Sequence, residues 1–391
     1  MTSNRKILIS GAGISGLTLA YWLQQWGFSP RIIEKRPDLH DQGYMIDFYG
    51  SGFDIAEKMG LLDKLRAKSA RYPVLKLSFV DGHGRKRASF DLKKFKALLH
   101  YRYLPLLRGD LETVIYESIR DTVPIQFNTS IARLHPESDG VLVALSDGSH
   151  ETYDLVIGAD GIHSNVRRLL WGEESRFNHF LGFYVACSVI DNFFGELDAF
   201  YGHFEPNTQT MVYPIGRNQL AVFFAFKSGK LNVRGREQKM EALKNVFGNL
   251  GWVVPRLVEG TRDARDFFFD AVAQIQLDIW HKERVALVGD ACQCLTLLAG
   301  QGASMGMAGA YLIAQELHRA DGDYKTAFPA YQRILKPEIE RRQKDARGLA
   351  GSFVPGNNFE ISLSYFFLKT AFLPGFRTLF KKQIGARSVI K

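Results

Sequence analysis

Cysteine is scarce in this chain. Cys187, Cys292 and Cys294 are the only three in 391 residues, with no C-x-x-C spacing and an odd one left over. That argues against a disulfide framework or a zinc site and makes a reducing compartment, the cytoplasm, the default. His83, His100, His163, His203 and His281 show no ligand-like spacing, so no metal is assigned. No secretory signal is visible, because the apolar stretch ILISGAGISGLTLAYWL is broken by glycines and lacks a cleavage-type flank. The longest other apolar run, ISLSYFFLKTAFL at 361–373, carries Lys369 and is too short to span a bilayer. A soluble protein is expected. The net charge of +9 is spread along the chain, with short clusters only at RKR (85–87) and ERRQK (340–344). Nucleic acid is therefore not an expected partner.

What is present is an ordinary globular composition, 46% hydrophobic and 23% charged, with 36 glycines. The length allows two domains, or one with a large insertion. KILISGAGISGLTLAYWLQQWGFSPRIIEK reads as a βαβ unit: a strand over Lys6–Ser10, a G-x-G-x-x-G turn, a helix over Leu17–Trp26, and a strand ending in Glu34. Gly11 permits the turn, Gly13 lets a pyrophosphate approach the backbone, and Gly16 lets helix and strand pack closely. The helix start at Ile14 and Ser15 then offers free N–H groups to phosphates. Glu34, with Lys35 beside it, stands where a carboxylate bonds ribose hydroxyls and repels a 2′-phosphate. The site favours FAD or NAD over NADP.

Two later segments point to flavin. DLVIGADGIHSNVRR (154–168) is a second strand-to-turn unit, and RVALVGDACQCLTLLAGQGAS (284–304) is a third. A strand-end carboxylate such as Asp290 suits ribityl hydroxyls. A helix opening near Gly302 suits the pyrimidine edge of a flavin, where negative charge accumulates on reduction. Between 176 and 275 the chain turns rich in β-branched and aromatic residues, as in FLGFYVACSVI and QLAVFFAFK, and reads as an antiparallel sheet. Phe183, Tyr184, Phe200, Met211, Tyr213, Phe223, Phe224 and Phe226 are its candidate cavity-lining residues, though each reads more readily as ordinary sheet packing; Tyr213, placed before a turn by YPIG, has the better claim.

With these motifs in their order, the chain resembles the class A FAD-dependent aromatic monooxygenases, the p-hydroxybenzoate hydroxylase-like family. The matching residues are Gly11, Gly13 and Gly16; Asp160 and Gly161 with Ser164, Val166 and Arg167; and Gly289-Asp290-Ala291 with Gly300, Gln301, Gly302 and Ala303. QGYMIDFYGSGFDIAEKMGLLDKL (42–65) and LLRGDLETVI (106–115) resemble the branch of tetracycline-inactivating flavin monooxygenases. There the residue matching Asp47 lies beside the flavin and that matching Arg108 contacts the cofactor. The resemblance implies an α/β fold: a discontinuous Rossmann-like FAD-binding domain (1–175 and 276–345), an antiparallel-sheet substrate domain (176–275, with part of 72–106), and a C-terminal helical extension (346–391). It further implies FAD, transient NADPH or NADH, O2, and hydroxylation of an aromatic or polycyclic phenol or enol through a flavin carbon-4a hydroperoxide. A tetracycline-like antibiotic is one such substrate. Gln293 stands where the family commonly has histidine and Leu297 where it has proline, near the flavin's reactive face. A reductase of the geranylgeranyl reductase-like kind and a flavin-binding sensor are the alternative readings. The 358–373 segment is read as a helix bordering the substrate entrance, with contact to an anionic membrane as the alternative.

Overall fold

The computed structural model describes residues 5–39, 44–72, 76–197, 199–216, 218–296, 300–371 and 388–390. β1 (Lys6–Ser10), α1 (Ile14–Gln25) and β2 (Ser29–Ile33) form the first βαβ unit, with Ile9 opposite Ile32 in a parallel pair. Ile7, Leu8 and Ile9 are all fully buried, as befits a parallel strand covered on both faces. The chain then forms β3 (Met45–Tyr49), α2 (Ser51–Lys58), α3 (Leu62–Ser69), β4 (Lys76–Val80), β5 (Lys86–Asp91) and α4 (Leu92–Leu98). β6 (Tyr103–Leu107) pairs back on β3, and α5 (Arg108–Glu117) leads to β7 (Ile125–Gln126) at the edge beside β2. A meander of β8 (Ile131–Pro136), β9 (Val141–Leu145) and β10 (His150–Tyr153) precedes β11 (Leu155–Gly158), which flanks β1 in parallel. After α6 (Asn165–Trp171) the chain leaves this layer.

β12 (Asn178–Asp191), β13 (Phe200–Glu205), β14 (Thr208–Ile215) and β15 (Gln219–Lys227) build the second sheet, covered on its outer face by α7 (Gly235–Phe247) and α8 (Val254–Asp263). β16 (Phe267–Ile275) closes that sheet against β12 and returns the chain. β17 (His281–Lys282) and β18 (Val285–Leu287) rejoin the first sheet, followed by α9 (Asp290–Gln293), α10 (Gly302–Arg319), α11 (Tyr324–Phe353) and α12 (Asn358–Thr370).

The first sheet runs β17-β18-β11-β1-β2-β7, and the second runs β16-β12-β15-β14-β13-β4-β5. The expected class is the one observed: a Rossmann-like α/β domain, a second sheet layer and a C-terminal helix. The second sheet is mixed rather than wholly antiparallel, because β4 joins β13 in parallel. Its strands alternate between two cores. Phe224 and Phe226 point outward to Phe247 of α7, while Phe223 and Ala225 point inward with Val185 and Val272. That period of two decides which residues can reach a ligand.

Candidate active site

β1 ends in a turn that only glycine can make. Gly11 has φ +112°, and a Cβ there would lie 2.5 Å from the carbonyl oxygen of Ala159. A Cβ on Gly16 would lie 1.9 Å from the carbonyl oxygen of Gly11, so α1 could not approach the turn. Gly13 differs. The nearest protein atoms to a Cβ there are Glu112 Oε1 at 3.6 Å and Arg108 Nη2 at 3.9 Å, both ordinary contacts. The fold leaves space at Gly13 that it does not fill.

α1 starts at that space with Gly13 as its N-cap. No side chain caps it, and no acidic residue stands in its first turn. Ile14 and Ser15 therefore bring unsatisfied N–H groups and the positive end of the helix dipole to the turn. Across it, Arg108 opens α5 and pairs with Glu112 at 2.7 Å. Glu112 is fully buried, yet neither of its oxygens accepts a well-directed hydrogen bond from the protein. Glu112 foremost, with Tyr44, Asp290 and Glu34, holds the Arg108 guanidinium above its ordinary pKa, against the desolvation that would lower it. Residues from four parts of the sequence thus converge on one guanidinium.

Glu34 is buried at the end of β2, where its Oε2 accepts the Ala12 N–H at 2.8 Å and its Oε1 the Arg36 N–H at 3.0 Å. It braces the glycine turn directly, and Lys35 beside it is exposed. Asp160 is spent on its own turn: Oδ1 accepts from Ser164 and Oδ2 accepts the Val166 N–H at 3.0 Å, while Gly161 takes φ +80°. Arg167, which matches the family's second motif, is fully buried. It donates to the carbonyls of Ala291 and Ile162 at 2.7 and 2.6 Å, stapling the second motif to the third.

In the third motif Gly289 lies against Ser15; a Cβ there would meet Ser15 Oγ at 2.3 Å. Asp290 has the accessibility of a surface residue, yet the surrounding protein pushes its carboxyl pKa up, opposed by Arg108. Its carboxylate is thus open to solvent yet surrounded by protein, on the side from which Arg108 acts. Gln293 is buried and donates its amide to the Met305 carbonyl at 2.9 Å, so its side chain braces α10 instead of opening to the cleft. Leu297 lies outside the described residues. Cys292 and Cys294 are buried and unoxidised, and burial pushes both thiols far above their usual range. They pack; thiolate chemistry is shut off.

α10, 18 residues long, also begins without a side-chain cap or an acid in its first turn. Gly300 takes φ +62°, and a Cβ on Gly302 would meet nothing within 4 Å. Gln301 donates to the Tyr49 hydroxyl at 3.1 Å and Ser304 to the Tyr49 carbonyl at 2.8 Å, fixing this helix start against β3. Ala303 is half-buried beside it.

Above the cleft, Asp47 accepts from the Tyr103 hydroxyl at 2.5 Å; burial raises its carboxyl pKa, and this bond opposes the rise. Tyr213 accepts the Met45 N–H at 2.9 Å, and burial raises its phenol pKa strongly. Met211 sits on the same inward face, where three apolar clusters meet. Phe224 and Phe226 do not. They are 0% and 1% exposed on the outward face, so their placement in the cavity is corrected: strand parity sends them to α7. Phe223, one residue along, takes the inward place. Glu112, Tyr103 and Tyr49 were not singled out from the sequence; the only signal for Glu112 was its i+4 spacing from Arg108.

A charge cluster ties the two sheets. His163, in the second motif, contacts Glu174 at 2.9 Å through Nδ1 and Asp270 of β16 at 3.1 Å through Nε2. Hydrogen bonds to Asp270 and then Glu174 raise its pKa from 6.5 to about 10. A raised folded-state pKa contributes stability that is fully present below the unfolded value and is lost as pH rises through the folded one. The Tm advantage of the parent over His163→Gln is therefore expected to be largest below pH 6.5 and to vanish as pH passes about 10. The ring is half-exposed, so the gain is small. A Tm difference independent of pH would rule the charged clamp out.

Two uncapped helix starts, an arginine paired with a buried carboxylate and a cradle at Gly13 define a dinucleotide-binding flavoprotein. The chain belongs to the FAD-binding domain family, whose profile matches residues 4–322. A flavin-dependent monooxygenase of Legionella longbeachae serogroup 1 (strain NSW150) is 34% identical over 358 residues, covering 90% of this chain and 91% of that one. The crystal structure of tetracycline destructase Tet(55) superposes with a TM-score of 0.85 at 29% identity, over 100% of this chain and 99% of the other. Klebsiella pneumoniae HpxO, complexed with FAD and uric acid, shares the fold with a TM-score of 0.80 at 20% identity, over 99% and 98% of the two chains. The protein is an FAD-dependent monooxygenase.

Proposed function

We propose that this enzyme takes electrons from NADPH or NADH and hydroxylates an aromatic or polycyclic phenol or enol, tetracycline-like scaffolds among them. The observation that carries this reading is the inward sheet face over the cleft, where apolar Met211 and Phe223 adjoin the hydroxyl-bearing Tyr213 and Tyr103. Such a wall suits a flat ring system edged with oxygens. Similarity to tetracycline destructase Tet(55) along the whole chain supports the polycyclic substrate.

When bound, FAD supplies the redox and oxygen-transfer chemistry. The N–H groups at Gly13–Ser15 and the Arg108 guanidinium would receive its pyrophosphate, Glu34 and Asp290 its ribose and ribityl hydroxyls, and the start of α10 its pyrimidine edge. Tyr213 accepts the Met45 N–H, which leaves its own proton for a substrate oxygen; its raised pKa keeps that proton in place at neutral pH. Asp47 holds Tyr103 in register beside it.

The test is NAD(P)H oxidation and oxygen uptake by the yellow protein, screened against phenols, quinolones and tetracyclines, with mass spectrometry of products. Substrate-dependent oxygen uptake and one added oxygen atom are expected with a polycyclic phenol. Anaerobic turnover without oxygen incorporation would move the assignment to a reductase.

A further inference from the structure

α12 is apolar on two sides. Its inner side buries Ile361 beside Phe79, Ala88 and Phe204, with Tyr365 and Leu368 packed against them. Its outer side carries Phe359, Leu363, Phe366 and Phe367, exposed by 76%, 41%, 53% and 49%. The spacing i, i+4, i+7, i+8 puts all four on one stripe of the helix. Single exposed apolar residues are commonplace; a contiguous aromatic stripe marks a contact surface.

What covers it is indicated by charge. Between β4, β5, α4 and the end of α12 lies a cleft of about 290 Å³, lined by Lys76, Lys94 and Lys369 over Phe90 and Leu368. Its one carboxylate, Asp91, accepts the N–H groups of Lys93 and Lys94 at the start of α4. None of the three lysines forms an ion pair with a described carboxylate. From residue 361 onward the chain carries Lys369, Arg377, Lys381, Lys382, Arg387 and Lys391 and no aspartate or glutamate. A second copy of this face would set one lysine cleft against another, which disfavours self-association. Among the described residues no helix is long and apolar enough to cross a membrane, so the contact would lie in the plane of a surface.

We propose that this face docks the enzyme on an anionic phospholipid membrane, with the aromatic stripe entering the headgroup–acyl boundary and the lysine cleft receiving lipid phosphate. Apolar area and basic charge act together in such interfacial helices, and neither suffices alone. The flavin-loaded full chain is tested by co-sedimentation with phosphatidylcholine vesicles, with and without phosphatidylglycerol. Binding is expected only where phosphatidylglycerol is present, and it weakens as salt is raised. Phe359→Ser/Phe367→Ser and Lys76→Gln/Lys94→Gln/Lys369→Gln are each expected to lower partitioning on the order of tenfold or more, with the flavin spectrum unchanged. Failure of the parent enzyme to bind phosphatidylglycerol vesicles overturns the proposal. So does a concentration-dependent dimer in sedimentation velocity that Phe359→Ser abolishes, which would give the face to a second copy.

Discussion

Gly13→Ala is expected to lower the apoprotein's stability by no more than about 1 kcal/mol, the cost of alanine at an N-cap, while flavin affinity falls about a hundredfold, some 3 kcal/mol. The backbone at Gly13 has φ −79°, which alanine adopts freely, and no protein atom lies closer than 3.6 Å to the added Cβ. A methyl group there occupies only the space into which the helix N–H groups point. Gly16→Ala is the opposite case. Its Cβ meets a backbone oxygen at 1.9 Å, so α1 must be pushed off β1. Overpacking of that kind costs about 3 kcal/mol or more. Urea unfolding of the flavin-free protein, paired with flavin titration by fluorescence, separates the two. If Gly13→Ala binds flavin like the parent, the pyrophosphate does not lie at this turn and the site assignment fails.

That contrast also explains how much was legible in the sequence. Glycine spacing encodes backbone approach, a steric demand that survives translation into one-letter code, so the βαβ unit and the fold class could be read directly. Strand parity could not. Phe223, Phe224 and Phe226 read alike as cavity candidates, because aromatic strands look alike from either face. Only the register, with Phe223 opposite Cys187 and Met211, shows which face turns inward, and one residue of slip inverts every assignment. Arg167 escaped for another reason: a buried arginine needs carbonyls from two distant loops, and its partners at Ile162 and Ala291 meet only after folding. Cys292 and Cys294, one residue apart in CQC, are inert packing, because burial keeps both thiols protonated.

Arg108→Met is expected to destabilise the protein by about 3 kcal/mol, because it leaves the fully buried carboxylate of Glu112 with no counter-charge. It should also abolish flavin retention through loss of the guanidinium facing the Gly13 turn. The two losses have different origins, and a second variant divides them. Arg108→Met/Glu112→Leu removes the stranded charge and replaces the pair with apolar groups of similar size, so stability should return to within about 1 kcal/mol of the parent. Flavin affinity should not return with it, since no cation then faces the phosphates. Glu112→Gln completes the set. It keeps an oxygen beside the turn but cancels the charge that anchors Arg108. If Glu112 serves a cofactor hydroxyl through its unbonded oxygens, the amide retains most of the affinity, whereas Glu112→Leu alone loses it. Stability from denaturant midpoints and affinity from flavin fluorescence are both measured on the four variants and the parent. A double variant that binds flavin as tightly as the parent would detach Arg108 from the cofactor altogether. An Arg108→Met protein as stable as the parent would show that the buried carboxylate finds another partner.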